Sequence, residues 1–135
     1  MRHRDWQSRL QAFVAGREAE PFAWGTNDCC IFACDAVLAM TGDDPAHGLR
    51  EHRSEAEAAL TLSAHGGVMQ LASDRLGERI RTSLAQVGDV GLIDSPRGPA
   101  LAVFGGSQWL APSDSGLARY PFDAARLAWR GECRT

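Results

Sequence analysis

The sequence predicts an α+β fold in which helices come first and a small, mostly antiparallel sheet follows, all in one domain over residues 1–135. Apolar residues recur at helical spacing in the first half of the chain, and short apolar segments between turn residues fill the second half. Because the two patterns are separated along the chain, they favour α+β over alternating α/β architecture. A chain of this length can bury one core of its own.

Four helices are predicted before Gly77, and each is bounded by a recognisable start or stop signal. Trp6, Leu10 and Phe13 lie on one face of the first helix, and Ser54 with Glu57 has the spacing of a capping box at the start of the third. The predicted helices cover residues 4–15, 54–64 and 68–76, and the second helix runs from a cap at Thr26, Asn27 or Asp28 to about residue 40.

The period of the apolar pattern changes after Gly77. Gly88-Asp89 is a turn signal, and so is the segment from Pro96 to Pro99. Strands are predicted around these turns, with a last segment that closes the sheet, at residues 90–93, 100–104, 108–111 and 128–131. Residues 122–127 are predicted as either a helical turn or a strand.

The composition argues against nucleic-acid binding and against membrane insertion. The net charge is −3, and all 14 basic residues are arginines scattered along the chain without a cluster. The longest apolar run, residues 29–40, is interrupted by Asp35 and is too short to span a bilayer. No signal-peptide core is apparent near residue 1, so folding in the bacterial cytoplasm with reduced thiols is expected.

Cys29 is the most informative residue. Thr26, Asn27 or Asp28 is expected to cap the second helix, so Cys29 lies in its first turn. Unpaired N–H groups and the helix dipole at this position lower the pKa of a thiol, although a neighbouring Asp28 charge raises it. Cys29 is therefore a candidate nucleophile, and the alternative is a buried, unreactive core cysteine.

The residues around Cys29 resemble those of the NlpC-type cell-wall peptidases, which have a papain-like fold. The matching elements are Trp24-Gly25, Asp28-Cys29, the Gly88-Asp89 turn and the strand that begins at Ala100. The sequence is more similar to short NlpC-like proteins encoded among the tail genes of tailed phages and prophages, through residues 21–29, 41–46, 66–67, 88–90 and 128–130. This resemblance implies a papain-like domain in a virion tail, with Asp28 and Cys29 at its site. Other tail-tip or hub proteins are the implied partners, with peptidoglycan as a further one.

One departure from the peptidase pattern concerns the general base. The alignment puts Ala100 where the family has its catalytic His, and no His follows His65. His65 is then a candidate base, with a helix C-terminal cap as the alternative. His47 and His52 flank a turn and are expected to be solvated, and His3 belongs to an exposed terminus.

Aromatic residues and the other cysteines each have two interpretations. Trp24, Gly25 and Trp109 are candidates for a substrate groove, whereas burial of the tryptophans in the core is the alternative. Cys30 and Cys34, four residues apart, are expected in the core. A metal or iron–sulfur site would need these two together with Cys29 and Cys133; no CxxC pair supports it, and no metal or cofactor is expected.

Three functions follow from these observations. The first is a tail-tip or hub protein whose NlpC-like site is degenerate and whose role is structural or interactive. The second is an active peptidoglycan endopeptidase or amidase with Cys29 as the nucleophile. The third is metal or iron–sulfur binding through the cysteines.

Overall fold

Helices precede the sheet along the chain, as the sequence predicts. A computed structural model describes residues 1–134, and within them four α-helices are followed by a six-stranded antiparallel sheet, which gives an α+β domain. The helices are α1 (Trp6–Arg17), α2 (Cys29–Thr41), α3 (Glu55–Ala64) and α4 (Val68–Arg75). The strands are β1 (Arg79–Ile80), β2 (Val90–Ser95), β3 (Gly98–Phe104), β4 (Gln108–Ser113), β5 (Gly116–Pro121) and β6 (Leu127–Trp129).

The sheet has the order β1-β6-β2-β3-β4-β5. The predicted strands β2, β3 and β4 are confirmed, and the closing strand is β6, which pairs with β2 near the middle of the sheet. The edge strands β1 and β5 were not predicted. Residues 122–124 of the ambiguous segment form a single 3₁₀ turn.

The central helix α2 is apolar on nearly every side and is buried between α1 and the sheet. Phe32, Val37 and Met40 are fully buried and meet Val90, Val103 and Trp129 of the sheet in one core cluster. Within residues 1–134, no helix is both long enough and apolar enough to cross a membrane.

The Gly88-Asp89 turn has a structural role. The carboxylate of Asp89 is buried, and it accepts hydrogen bonds from the side chains of Arg2 and Arg130 and from the backbone N–H groups of Gln86 and Gly131. A buried charge is tolerated when it is paired and hydrogen-bonded in this way. Asp89 thereby joins both ends of the chain to the start of β2.

The segment between α2 and α3 is attached to α2 by charged groups. The guanidinium of Arg50 donates to Asp44 at 2.8 Å and to Asp35 of α2 at 2.7 Å. On its other side Asp35 accepts a 2.7 Å hydrogen bond from Arg17. Because Arg50 is fixed in this way, the chain that follows it runs close to the N-terminus of α2.

Candidate functional site

Asp28 caps α2. The sequence predicts a cap at Thr26, Asn27 or Asp28, and the structure confirms Asp28. Its backbone is extended, and its Oδ1 accepts from the N–H of Ile31 at 2.9 Å. Its Oδ2 accepts from the N–H of Gly25 at 2.8 Å. Cys29 is thereby fixed as the first residue of the helix.

Gly25 is required by its surroundings. Its φ is +81°, and a Cβ at this position would lie 2.0 Å from the carbonyl oxygen of His52. No side chain fits so close to another backbone. The Trp24-Gly25 pair therefore lets the turn before α2 pack directly on the segment that carries His52.

His52 is buried, and the prediction that it is solvated is wrong. Its Nε2 lies 2.6 Å from Oδ2 of Asp28, and its side chain is only 7% exposed. The charged contacts of Arg50 and the close packing on Gly25 hold this segment against α2, whereas the local sequence shows only a turn.

The two ring nitrogens of His52 differ in their surroundings. Because an ionised carboxylate only accepts hydrogen bonds, Nε2 carries the proton that it donates to Asp28. In a neutral imidazole Nδ1 is then an acceptor. Nδ1 is buried and has no hydrogen-bond partner within residues 1–134.

Cys29 is partly buried, and burial dominates its electrostatics. Burial and then the negative charge of Asp28 raise the pKa of the Cys29 thiol to about 12, while the Arg97 guanidinium acts in the opposite direction. The sequence predicts a lowered pKa from the helix N-terminus, and that expectation fails because desolvation of the thiolate outweighs it. The Cys29 thiol is neutral at physiological pH.

Cys29 and Ala100 share their surroundings. Ala100 belongs to the apolar cluster that contains Ile93 and Trp109, Cys29 packs against this cluster, and both residues line one cavity of about 220 Å³. His52 and Asp28 line the same cavity. Ala100, the position that the resemblance equates with a catalytic His, thus lines the same cavity as Cys29 with a methyl group.

Arg97 and two aromatic rings form one side of this cavity. The Arg97 guanidinium lies 4.0 Å above the ring of Phe22 and 5.9 Å from that of Trp24. The two rings meet edge to face at 4.7 Å. Arg97 also pairs with the exposed Asp114 at 2.6 Å. The position of Arg97, in the turn between β2 and β3, gave no sequence signal for this contact.

Two of the other candidates lie away from the cavity. Trp109 is fully buried, donates its Nε1–H to the carbonyl of Phe122 and does not line the cavity, so its ring belongs to the core and not to a groove. His65 forms the C-cap of α3 and does not line the cavity either, so it is not placed to act as a base there. Trp24 lines the cavity, and Gly25 lies next to it in the same turn.

Cys30 and Cys34 follow Cys29 on α2, whereas Cys133 lies beyond β6. Cys34 is buried, and Cys30 is partly buried and packs against the core. In the part of the chain that the structure describes, no three His, Cys, Asp or Glu side chains come together as metal ligands would. All four cysteines are free thiols.

We expect Asp28→Ala to lower the free energy of unfolding by about 2–4 kcal/mol. The substitution removes a helix cap, which contributes roughly 0.5–2 kcal/mol, and leaves the buried His52 Nε2–H unpaired, which costs roughly 1–3 kcal/mol. Urea denaturation followed by tryptophan fluorescence measures the change.

Ser54→Ala is the matched control, since Ser54 caps α3 through Glu57 N–H and holds no buried side chain. Its expected cost is about 1 kcal/mol. Equal costs for the two substitutions would contradict the role given to the Asp28–His52 contact.

We expect Cys29 to be alkylated by iodoacetamide roughly 10- to 100-fold more slowly in the folded protein than in the unfolded chain at pH 8. With a pKa near 12 the thiolate fraction falls by about 10³, and the greater nucleophilicity of a more basic thiolate offsets part of this. Because the raised pKa delays ionisation, the folded rate should keep rising from pH 8 to pH 11, whereas the unfolded rate levels off near pH 9. Peptide mapping by mass spectrometry gives both rates. A folded-state plateau near pH 8 would contradict the buried, neutral thiol.

The comparisons with known proteins assign a family and no activity. No curated protein matches the chain. One family model matches residues 1–131, which include all four helices and all six strands. The chain belongs to the family described as a domain of unknown function, DUF6950.

Proposed function

We propose that this chain is a non-hydrolytic component of a phage or prophage tail tip or hub, built on an NlpC-like papain fold. The order of helices before an antiparallel sheet, with Cys29 at the start of the central helix, supports the papain-like part. The tail assignment has its support in the sequence resemblance through residues 21–29, 41–46 and 128–130. Its partners are other tail proteins, and its location is the virion tail.

The position of Ala100 in the cavity that Cys29 also lines is the observation that carries the loss of hydrolysis. Ala100 belongs to a buried cluster against which Cys29 packs, and both residues line the same cavity. This supports the alignment in which a methyl group stands in place of the family's His. A methyl group neither takes the thiol proton nor returns one to a leaving amine.

The energetics of Cys29 favour the same conclusion. At pH 7 a thiol with a pKa near 12 is ionised in only about one molecule in 10⁵. Absence of a general acid costs a further factor of roughly 10²–10⁴ in amide hydrolysis. The two effects together leave little catalytic power.

A second candidate function, peptidoglycan hydrolysis through Cys29, is favoured by the burial of His52 on Asp28 in the same cavity. A carboxylate that orients a histidine is the usual companion of a nucleophile. However, neither ring nitrogen of His52 hydrogen-bonds to the thiol: Nε2 is taken by Asp28, and Nδ1 has no partner within the described residues. Hydrolysis would require this ring to move.

We expect purified wild-type protein to release no soluble fragments from peptidoglycan sacculi above the level of Cys29→Ser. A muramidase provides the positive control, and chromatography with mass spectrometry detects the fragments. Release by the wild type that is lost in Cys29→Ser would overturn the non-hydrolytic role. Loss in His52→Gln as well would assign the base to His52.

We expect the protein to co-purify with tails of particles made by a host that encodes it, and Cys29→Ala to be retained equally. Retention is expected because the proposed role uses the fold and not the thiol. Gradient-purified particles, separated into capsid and tail fractions, are analysed by quantitative mass spectrometry. Absence of the chain from tails in particles that contain the other tail proteins would contradict the tail assignment.

A further inference from the structure

The cavity that Cys29 lines has an apolar interior and a solvent-exposed rim. Its volume is about 220 Å³, and roughly 150 Å³ suffices for a ring the size of benzene. Aliphatic side chains form the buried part of its wall, namely Leu49, Ala58, Leu71, Ala100 and Leu101. The rim consists of the exposed lining residues Glu55, Ala59, Arg97 and Pro99. A ligand that fills the interior is therefore apolar there, and any charge that it carries must stay at the rim.

The Arg97 guanidinium has a fixed place at this rim. It lies 4.0 Å from the ring of Phe22 and 5.9 Å from that of Trp24, and both rings line the cavity. Its charge acts on the Cys29 thiol in the direction that lowers the pKa, against the larger effect of burial. Among the described residues, Arg97 is the only arginine in the wall, and the chain has no lysine. The cavity thus has one permanent positive charge, held between solvent and the apolar interior.

Arg97 still has hydrogen-bond donors to offer. A guanidinium carries five N–H groups in a planar fork, which matches the two oxygens of a carboxylate. Nη2 of Arg97 donates to Asp114 at 2.6 Å, and within residues 1–134 its side chain has no other acceptor. Asp114 is 85% exposed, so this ion pair contributes little, and an anion from solvent can compete for the guanidinium.

The acidic residues of the wall are less suited to select a ligand. Asp28 already accepts three hydrogen bonds, and its side chain is only 5% exposed. Glu55 lies in the first turn of α3, and its side chain has no ion pair within the part of the chain that the structure describes. A charge that is already held in position loses less conformational entropy on binding than a mobile one. The stacked Arg97 therefore determines which ligand charge is matched.

We propose that this cavity binds a free medium-chain carboxylate, with its hydrocarbon chain among the buried aliphatic side chains and its carboxylate on the Arg97 guanidinium. A carboxylic acid has a pKa of about 4, so the ligand is an anion at pH 7. A chain of about eight carbons suits a cavity somewhat larger than one that benzene fills. Because the ion pair stays at the exposed rim, little of its hydration is lost. Binding is noncovalent and does not rest on the proposed function.

The test compares octanoate with 1-octanol, which has the same chain length and no charge, and with octylamine, which has the opposite charge. Each is titrated into the full chain at pH 7 by isothermal titration calorimetry. Transfer from water alone favours 1-octanol, since a hydroxyl costs less to desolvate than a carboxylate. We expect octanoate to bind about tenfold more tightly than 1-octanol because Arg97 pairs with its carboxylate, and octylamine to bind more weakly than either.

Four variants assign the effect to the cavity and its rim. Arg97→Gln should lower the affinity for octanoate about tenfold and leave that for 1-octanol unchanged. Arg119→Gln is the matched control and should change neither, because Arg119 is 43% exposed, against 42% for Arg97, and pairs with Glu18 away from the cavity. Asp114→Asn removes the competing anion and should raise the affinity for octanoate about threefold. Ala58→Leu enlarges a side chain of the buried wall and should weaken both ligands.

Four results would overturn the inference: 1-octanol binding as tightly as octanoate, octylamine binding more tightly than octanoate, a preference for octanoate that survives in Arg97→Gln, or no binding of any of the three compounds at millimolar concentration. None of them bears on peptidoglycan hydrolysis or on tail association. Conversely, fragment release from sacculi would overturn the proposed function and leave the ratio of the affinities for octanoate and 1-octanol unchanged.

Discussion

The Asp28 carboxylate accepts hydrogen bonds from the backbone of Gly25, the backbone of Ile31 and the imidazole of His52. These three donors belong to three parts of the chain: the turn before α2, the first turn of α2 and the segment before α3. A single buried anion thus determines where α2 begins, how the preceding turn folds and where His52 lies. The remaining features of the site depend on this arrangement, since Gly25 has no room for a side chain beside the His52 backbone.

The same carboxylate has opposite effects on the position and on the reactivity of Cys29. As the helix cap it fixes the thiol at the N-terminus of α2, where backbone N–H groups favour an anion. As a neighbouring negative charge it adds to the effect of burial and raises the pKa of the thiol. The helix N-terminus alone would favour ionisation of the thiol, whereas burial together with Asp28 opposes it.

Local sequence signals predicted the elements that depend on local interactions. The Asp28 cap, the Ser54 cap and the start of α2 follow from side chains that bond to backbone groups a few residues away. The strands β2, β3 and β4 were found because their apolar residues form short continuous runs between turns. Strand β5, which contains Arg119 and ends at Pro121, lacks such a run and was missed.

The functional residues that the sequence did not indicate depend on long-range contacts. His52 contacts Asp28, from which it is separated by 24 positions in the sequence. Arg97, in the turn between β2 and β3, contacts the ring of Phe22, which precedes α2. The one signal that points to His52 is its spacing: Ala46, Leu49 and His52 recur every three residues and are all buried. The local sequence could not decide whether Trp109 lies in a groove or in the core, because an aromatic residue in a strand has the same pattern in both. In the structure Trp109 is fully buried.

The most direct test of the organising role of Asp28 is the tautomeric state of His52, measured by nitrogen-15 NMR of the imidazole in the full chain. The structure predicts the tautomer whose proton lies on Nε2, hydrogen-bonded to Asp28, and not on Nδ1, which has no partner within residues 1–134. The Nε2 proton should exchange slowly with water, since the ring is buried. A ring protonated on Nδ1 alone, or one whose protons exchange as fast as those of a solvated histidine, would contradict the account.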